Sequence, residues 1–205
     1  MIEGDHEENK VCVYVTDSVS LEAALGEGLP RRFTDKYGFA AGATQGREQL
    51  AWLEEELSLD HTHECRWMVV TGHRPVFSGA DREVFPAERP FQAKMHRLLR
   101  GKVHFYFNGH DHTFQHIFQP GDGSADGAAG PHFIVNGIGG YKELHPVNPL
   151  PGTRAAYSGF HGFTRQIISR QAMSLSVHDE KGRERYHHDF PWWPLETVRE
   201  THVVV

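Results

Sequence analysis

The stretch Phe107-Asn108-Gly109-His110-Asp111-His112 comes directly after a predicted strand over residues 103–107. The segment Met68-Val69-Val70-Thr71-Gly72-His73 repeats the same order: an apolar strand, then glycine, then histidine. Glycine is expected to let the backbone turn sharply at each exit. Because open α/β sheets bind ligands at the carboxyl ends of their strands, the two exits predict one shared site. Neutral imidazole is the commonest protein ligand for divalent transition metals, so that site is a candidate metal centre.

Position separates three histidines from the background of this histidine-rich chain. The sequence holds 16 histidines in 205 residues, so a His-x-His pair arises easily by chance. Most of these imidazoles are therefore expected to be ordinary surface or structural groups. His73, His110 and His112 differ from the others because each follows a glycine at a predicted strand end. We predict that these three are metal ligands.

Composition is typical of one soluble globular domain, with 39% hydrophobic residues and a net charge of -6. This mild acidity gives no reason to expect nucleic acid or an anionic membrane as a partner. No apolar run approaches the roughly 18 residues of a membrane-spanning helix, and the acidic start does not resemble a signal peptide. Two cysteines are too few to define a redox compartment, and Cys12 is expected to be a packed thiol in a buried strand.

The first half of the chain predicts alternating strands and helices. The region after Ser18, as far as residue 43, is expected to be irregular, and Thr44 is expected to cap a helix with Leu50, Leu53 and Leu57 on one face. Strand, helix and strand in succession favour a mostly parallel sheet flanked by helices. The predicted strands of this half cover residues 11–15, 67–71 and 103–107, and a second helix covers residues 91–99.

The second half predicts antiparallel structure. In the predicted strand 172–177, Met173, Leu175 and Val177 alternate with serines, which indicates one covered and one wet face. Residues 119–131 are expected to form a flexible hairpin connection, and the tail from residue 191 a peripheral wrap. Other strands are predicted over residues 132–137, 163–169 and 184–190, with a hairpin turn at Glu180-Lys181-Gly182.

The ordered motifs Gly72-His73-Arg74-Pro75 and Gly109-His110-Asp111-His112, with the helix 47–57 ahead of them, resemble the C-terminal half of the calcineurin-like metallophosphoesterases. The purple acid phosphatases, particularly their small tartrate-resistant branch, are the most similar group. The resemblance implies an α/β fold, the C-terminal part of a four-layer α/β/β/α sandwich. Residues 1–205 would then be a partial domain, without the family's N-terminal metal-binding motifs. At least one sheet face or edge is therefore expected to lack its cover.

The same resemblance implies a binuclear metal centre of iron with iron, zinc or manganese. His73 and His110 would ligate the divalent ion, and His112 the neighbouring iron. Two metals together activate a nucleophile and neutralise the leaving oxygen when a phosphate ester is attacked in line. Gly4-Asp5-His6-Glu7 could be a degenerate version of a missing ligand motif, but its polar, turn-rich surroundings favour a hairpin loop.

The function implied is a metal-dependent phosphomonoester hydrolase of the acid phosphatase type, incomplete as this chain stands. The alternatives are a non-catalytic scaffold or binding protein of the same fold, and a phosphodiesterase of the same superfamily. Arg82, in the loop over residues 78–90, is the candidate substrate-binding residue. A missing N-terminal half or a partner chain would supply the other ligands. Members of the family are often secreted or lysosomal, and the sequence leaves the compartment of this chain open.

Overall fold

The computed structural model describes residues 10–26, 42–58, 64–80, 89–119, 130–140 and 143–195. These residues form nine strands and three helices in a mixed α/β arrangement. In chain order they are β1 (Lys10–Val15), α1 (Ser18–Ala24), α2 (Gly42–Glu56), β2 (Cys65–Thr71), α3 (Pro90–Leu99), β3 (Phe105–Asn108), β4 (Phe114–Phe118), β5 (His132–Asn136), β6 (Thr153–Tyr157), β7 (Gly162–Ile168), β8 (Ala172–Asp179) and β9 (Glu184–Pro191).

The strands form two sheets, as the resemblance implies. One has six strands in the order β1-β2-β3-β5-β4-β6, and the other has three in the order β7-β8-β9. Strands β1, β2, β3 and β5 are parallel, whereas β4 pairs antiparallel with β5 and β6. The sequence prediction missed β4 and β6. Strand β4 has no clear apolar pattern, because Gln115 and His116 are polar although both are fully buried.

Alternating side chains of β2 separate two apolar cores. Met68 and Val70 pack with the helices, where Leu53 of α2 and Leu57, directly after this helix, are buried on one face as predicted. Trp67 and Val69 face the second core, which lies between the sheets and includes Leu175. Full burial of one such side chain contributes roughly 1.5–3 kcal/mol. The three helices belong to the first core, so the described residues form helix, sheet and sheet layers.

Helix α1 corrects the expected irregular region, since Ser18–Ala24 is helical. Asp17 caps it by accepting hydrogen bonds from the backbone N–H groups of Val19 and Ser20, at 3.1 and 3.2 Å. The expected cap at Thr44 is also wrong, because α2 already begins at Gly42 and Thr44 lies inside its first turn. The Asp-Ser sequence ahead of Val19 was the missed signal for a helix start.

Strand β1 presents an uncovered apolar row at the end of the six-stranded sheet. Val11, Val13 and Val15 are 37%, 55% and 71% exposed. Val11 and Val13 pair in register with Trp67 and Val69, so the row lies on the face that packs against the second sheet elsewhere. This part of the sheet face is therefore exposed in the described structure.

The expected free thiol at Cys12 is wrong, because Cys12 forms a disulfide with Cys65. The two residues lie on the paired strands β1 and β2, with Cα atoms 5.7 Å apart. This separation is within the usual range for a disulfide. The bond ties the edge strand β1 to the buried strand β2.

Removing the disulfide is expected to destabilise the fold. It closes a separation of 53 residues, and a loop of that size corresponds to about 4 kcal/mol of lost unfolded-state entropy. We expect Cys12→Ser with Cys65→Ser to lower the free energy of unfolding by about this amount, measured by urea denaturation. Reductant should destabilise the wild type and leave the double variant unchanged. Equal midpoints for the wild type with and without reductant would contradict the prediction.

Four histidines meet between the sheets, and we call His104, His116, His132 and His188 the inter-sheet histidine cluster. His116 contacts the Tyr186 hydroxyl through Nδ1 at 2.8 Å and His132 through Nε2, also at 2.8 Å. Burial lowers the pKa of His116 to about 3, of His132 to about 2 and of His104 to about 4. The nearby Arg154 adds to the lowering for His116 and His132. These imidazoles are therefore held neutral.

Acid is expected to weaken the contact between the sheets. The folded pKa values of His104, His116 and His132 lie below the ordinary value of about 6.5, so below that pH the unfolded chain binds more protons. The contribution of these three neutral imidazoles to the free energy of unfolding is complete above about pH 6.5. Below that pH it falls by up to about 4 kcal/mol per pH unit.

This pH dependence can be measured by urea denaturation between about pH 7 and about pH 5. His132→Phe removes one titrating group, so it should reduce the dependence of the unfolding free energy on pH by about one proton. The new ring fits because His132 already lies among aromatic side chains. Phe118→Leu is the control, since it removes a ring packed on His132 without removing a titrating group. A slope unchanged in His132→Phe would contradict the assignment.

Candidate metal centre

The exits of β2 and β3 bring His73 and His110 together. The parallel pairing continues past the strands, as Gly72 N–H donates to Phe107 O at 3.0 Å and Gly109 N–H donates to His73 O at 3.2 Å. His73 Nε2 and His110 Nδ1 then lie 3.1 Å apart. The predicted proximity of these two imidazoles is therefore present in the structure.

The backbone turn between strand and histidine differs from the expectation. Positive φ occurs at His110, with a value of 66°, rather than at Gly72 or Gly109. A left-handed conformation costs a non-glycine residue about 1–2 kcal/mol, and such strain is concentrated at functional sites. Gly72 instead permits a close approach, because a Cβ there would lie 2.8 Å from the Tyr106 hydroxyl and 2.9 Å from Thr16 Oγ1.

His112 is oriented by a loop that the sequence did not single out. Its Nδ1 lies 2.7 Å from the carbonyl oxygen of Glu143, so Nδ1 donates and the ring's lone pair is on Nε2. The His112 N–H donates to Nδ1 of His145 at 3.0 Å, and the two rings stack with centroids 4.3 Å apart. Such contacts fix the tautomer and orientation of metal-binding histidines. No sequence motif marks His145, since its role depends on long-range contact.

The three histidines line one cavity of about 520 Å³. Most of its other lining residues are glycines on the β3 and β5 exits, and they leave room close to the backbone. The lining comprises His73, Gly109, His110, His112, Asn136, Gly137, Gly139 and Gly140.

The residues fit one part of a metal centre. Nitrogens 3.1 Å apart can share an ion at the usual distance of about 2.1 Å from each. Burial, followed by the Arg74 charge, lowers the pKa of His73 and favours the neutral ligand form. Within the described ranges, however, no group of three His, Cys, Asp or Glu side chains is close enough to hold an ion. His112 thus lines the cavity without joining the pair, and Arg82 lies outside the described residues.

Two curated proteins match part of the sequence, and no family model does. Purple acid phosphatase 21 of Arabidopsis thaliana is 30% identical over 131 residues, covering 61% of this chain and 30% of the relative. An acid phosphatase of Aspergillus ficuum is 29% identical over 57% of this chain and 19% of the relative. Over the matched segments the chain is similar to purple acid phosphatases. It spans less than a third of the length of either relative.

Solved structures share the fold. GAP50, described as the anchor in the inner membrane complex of Plasmodium, matches with a TM-score of 0.61 at 14% identity, over 90% of this chain and 50% of its own. The purple acid phosphatase PPD1 of yellow lupin matches with a TM-score of 0.54 at 17% identity, over 70% of this chain and 28% of its own. At these identities the matches show a shared fold and nothing more. No helix in the described part of the chain is long and apolar enough to cross a membrane.

Gly137→Ala is expected to disturb the cavity. A Cβ at this position would lie 1.8 Å from the carbonyl oxygen of Asp111 and 3.2 Å from the Cα of His112. Because both are main-chain atoms, the segment carrying His112 must move, at a cost of about 1–3 kcal/mol. Zinc titration and urea denaturation should both show a loss. Gly139→Ala is the matched control, since it lines the same cavity and its Cβ would meet nothing within 4 Å. Equal behaviour of the two variants would contradict this reading.

Proposed function

We propose that the chain is part of a metal-dependent phosphomonoester hydrolase of the acid phosphatase type. The observation that carries the proposal is the facing pair of nitrogens, His73 Nε2 and His110 Nδ1, at the carboxyl ends of parallel strands. In this proposal the pair holds one divalent ion, and His112 contributes to a neighbouring ion. The relation to purple acid phosphatases supports the same chemistry.

Each described residue has a definite part in this proposal. Bound metals would polarise phosphoryl oxygens and acidify an attacking water. The chain keeps His73 neutral by burial, fixes His112 through the Glu143 carbonyl, and holds an open, glycine-lined cavity for the ester. Arg82 remains the proposed contact to the substrate phosphate.

Residues 1–205 are proposed to be a partial metallophosphoesterase domain. The matched segments make up only 30% and 19% of the two relatives, and the described part of the chain holds no group of three metal-binding side chains. We infer that further segments or a partner chain supply the other ligands. The chain alone is therefore expected to be weakly active or inactive. The Cys12–Cys65 disulfide supports an oxidising compartment.

A non-catalytic scaffold is the second candidate. The incomplete set of described ligands favours it, as does the fold shared with GAP50, which is described as an anchor. A scaffold of this kind would keep the sheets and the cavity but would not turn over a phosphate ester. Fold alone does not decide between these functions.

Zinc binding by the chain tests the metal site. We expect about one ion per chain, bound weakly because the described pair supplies only two nitrogens. His110→Ala should lower the affinity at least about 100-fold, since even residues that merely orient a ligand affect it 10- to 100-fold. His187→Ala is the control, because this exposed imidazole lies on β9. Two tightly held ions after dialysis would show that the other ligands are already present.

Hydrolysis of an aryl phosphate separates the two candidate functions. We expect negligible turnover by residues 1–205 alone, because two nitrogens compensate little of the charge on the phosphoryl oxygens. A fusion that supplies the family's additional metal-binding motifs should be active and should lose activity on His110→Ala. Inactivity of a metal-loaded fusion would favour the scaffold, and robust metal-dependent turnover by the short chain would contradict its incompleteness.

A further inference from the structure

We propose that Arg74 is a latch on His110, so that the Arg74–His110 hydrogen bond and metal ligation by His110 exclude each other. The proposal rests on the proposed metal site and adds a means of regulating it. Arg74 directly follows His73, and its Nη1 lies 2.6 Å from Nε2 of His110. The latch and the candidate ligand pair therefore share one imidazole.

The hydrogen-bond roles in this group follow from one fixed donor. A guanidinium can only donate, so Nε2 of His110 must accept with its lone pair. In neutral His110 the proton then lies on Nδ1, which donates to Nε2 of His73 at 3.1 Å. The Nε2 lone pairs of both imidazoles are consequently engaged: that of His73 accepts from His110, and that of His110 accepts from Arg74.

Metal binding requires this arrangement to break, whichever nitrogen of His110 becomes the ligand. An ion between the rings takes the lone pair of Nδ1, and the proton of neutral His110 moves to Nε2. Two donors, Nε2–H and Arg74 Nη1–H, would then face each other at hydrogen-bonding distance, so the contact between Nη1 and Nε2 must break. An ion bound at Nε2 instead displaces Arg74 directly.

Arg74 is built to remain beside His110 after release. Its backbone N–H donates to Ser18 Oγ at 2.6 Å, and its carbonyl accepts from the Tyr106 hydroxyl at 2.9 Å. Its Nε forms an ion pair with the buried Glu22 at 3.3 Å, and Arg89 pairs with the same carboxylate at 2.7 Å. The backbone and the ion pair therefore hold the side chain in place, and only the contact to His110 needs to change.

Proton position gives a test that needs no catalysis. Nitrogen NMR of the ¹⁵N-histidine-labelled, metal-free chain should show His110 with a protonated Nδ1 and an unprotonated Nε2. The signals are assigned by their loss in His110→Ala. A proton on Nε2 in the metal-free chain would overturn the proposal, because that nitrogen could not accept from Arg74.

Charge-conserving variants test the exclusion itself. Arg74→Lys keeps the charge for Glu22 but ends one bond short of Nη1, so it should release His110. We expect zinc affinity by calorimetry to rise about 10-fold, in line with loss of a hydrogen bond from a charged donor. Arg89→Lys is the matched control, because it makes the same change on the same carboxylate and leaves the latch in place; its affinity should stay within about twofold.

A second pair of variants keeps the test decisive if lysine re-forms the contact. Arg74→Met should raise zinc affinity at least as much as Arg74→Lys, and more than Arg89→Met, which removes an equal charge from Glu22. Equal gains in the two methionine variants would mean a charge effect only, and would overturn the latch. Equal zinc affinity in the wild type and both Arg74 variants would also overturn the latch. It would not contradict the metal site, because zinc would still bind. If none of these chains binds zinc, the metal site of the proposed function is wrong.

Discussion

The parallel pairing of β2 with β3 is the constraint on which the candidate site depends. Val69, Val70 and Thr71 lie in register with residues 105–107, and the pairing extends through two main-chain hydrogen bonds beyond the strands. These bonds fix where His73 and His110 leave the sheet. Their strength comes from the cores on either side, since a pair buried on both faces has no water to compete for its backbone groups. The position of the two imidazoles is thus a property of the whole sheet.

Sequence reasoning succeeded where the signal is local. A strand followed by glycine and histidine predicts a side chain at a strand end, and the structure brings His73 and His110 together there. It failed where polar residues are buried by partners distant in sequence. Gln115 made β4 look unlike a strand, yet its side-chain amide is satisfied by Gly79, Ser78 and Thr113. The contact of His145 with His112 could not be predicted from the sequence either, because the two residues are 33 positions apart.

Disagreements between expectation and structure also have local causes. The strained φ belongs to His110 and not to Gly109, while Gly72 permits a close approach to Tyr106 and Thr16. The described helices cover one face of the six-stranded sheet, and the valine row of β1 shows where a further layer or strand would bury apolar surface. The fold class is thus predictable from the sequence, whereas the exposure of the valine row of β1 is not.

The Cys12–Cys65 disulfide has a practical consequence for any preparation of this protein. The two cysteines enclose α1, α2 and the connection between them. A protease that cuts anywhere within this enclosed segment leaves both fragments covalently joined. The nicked chain would migrate as one band on a non-reducing gel and would separate into two only after reduction. Intact mass under non-reducing conditions would change only by the water added at the cut, so backbone integrity has to be judged on the reduced protein.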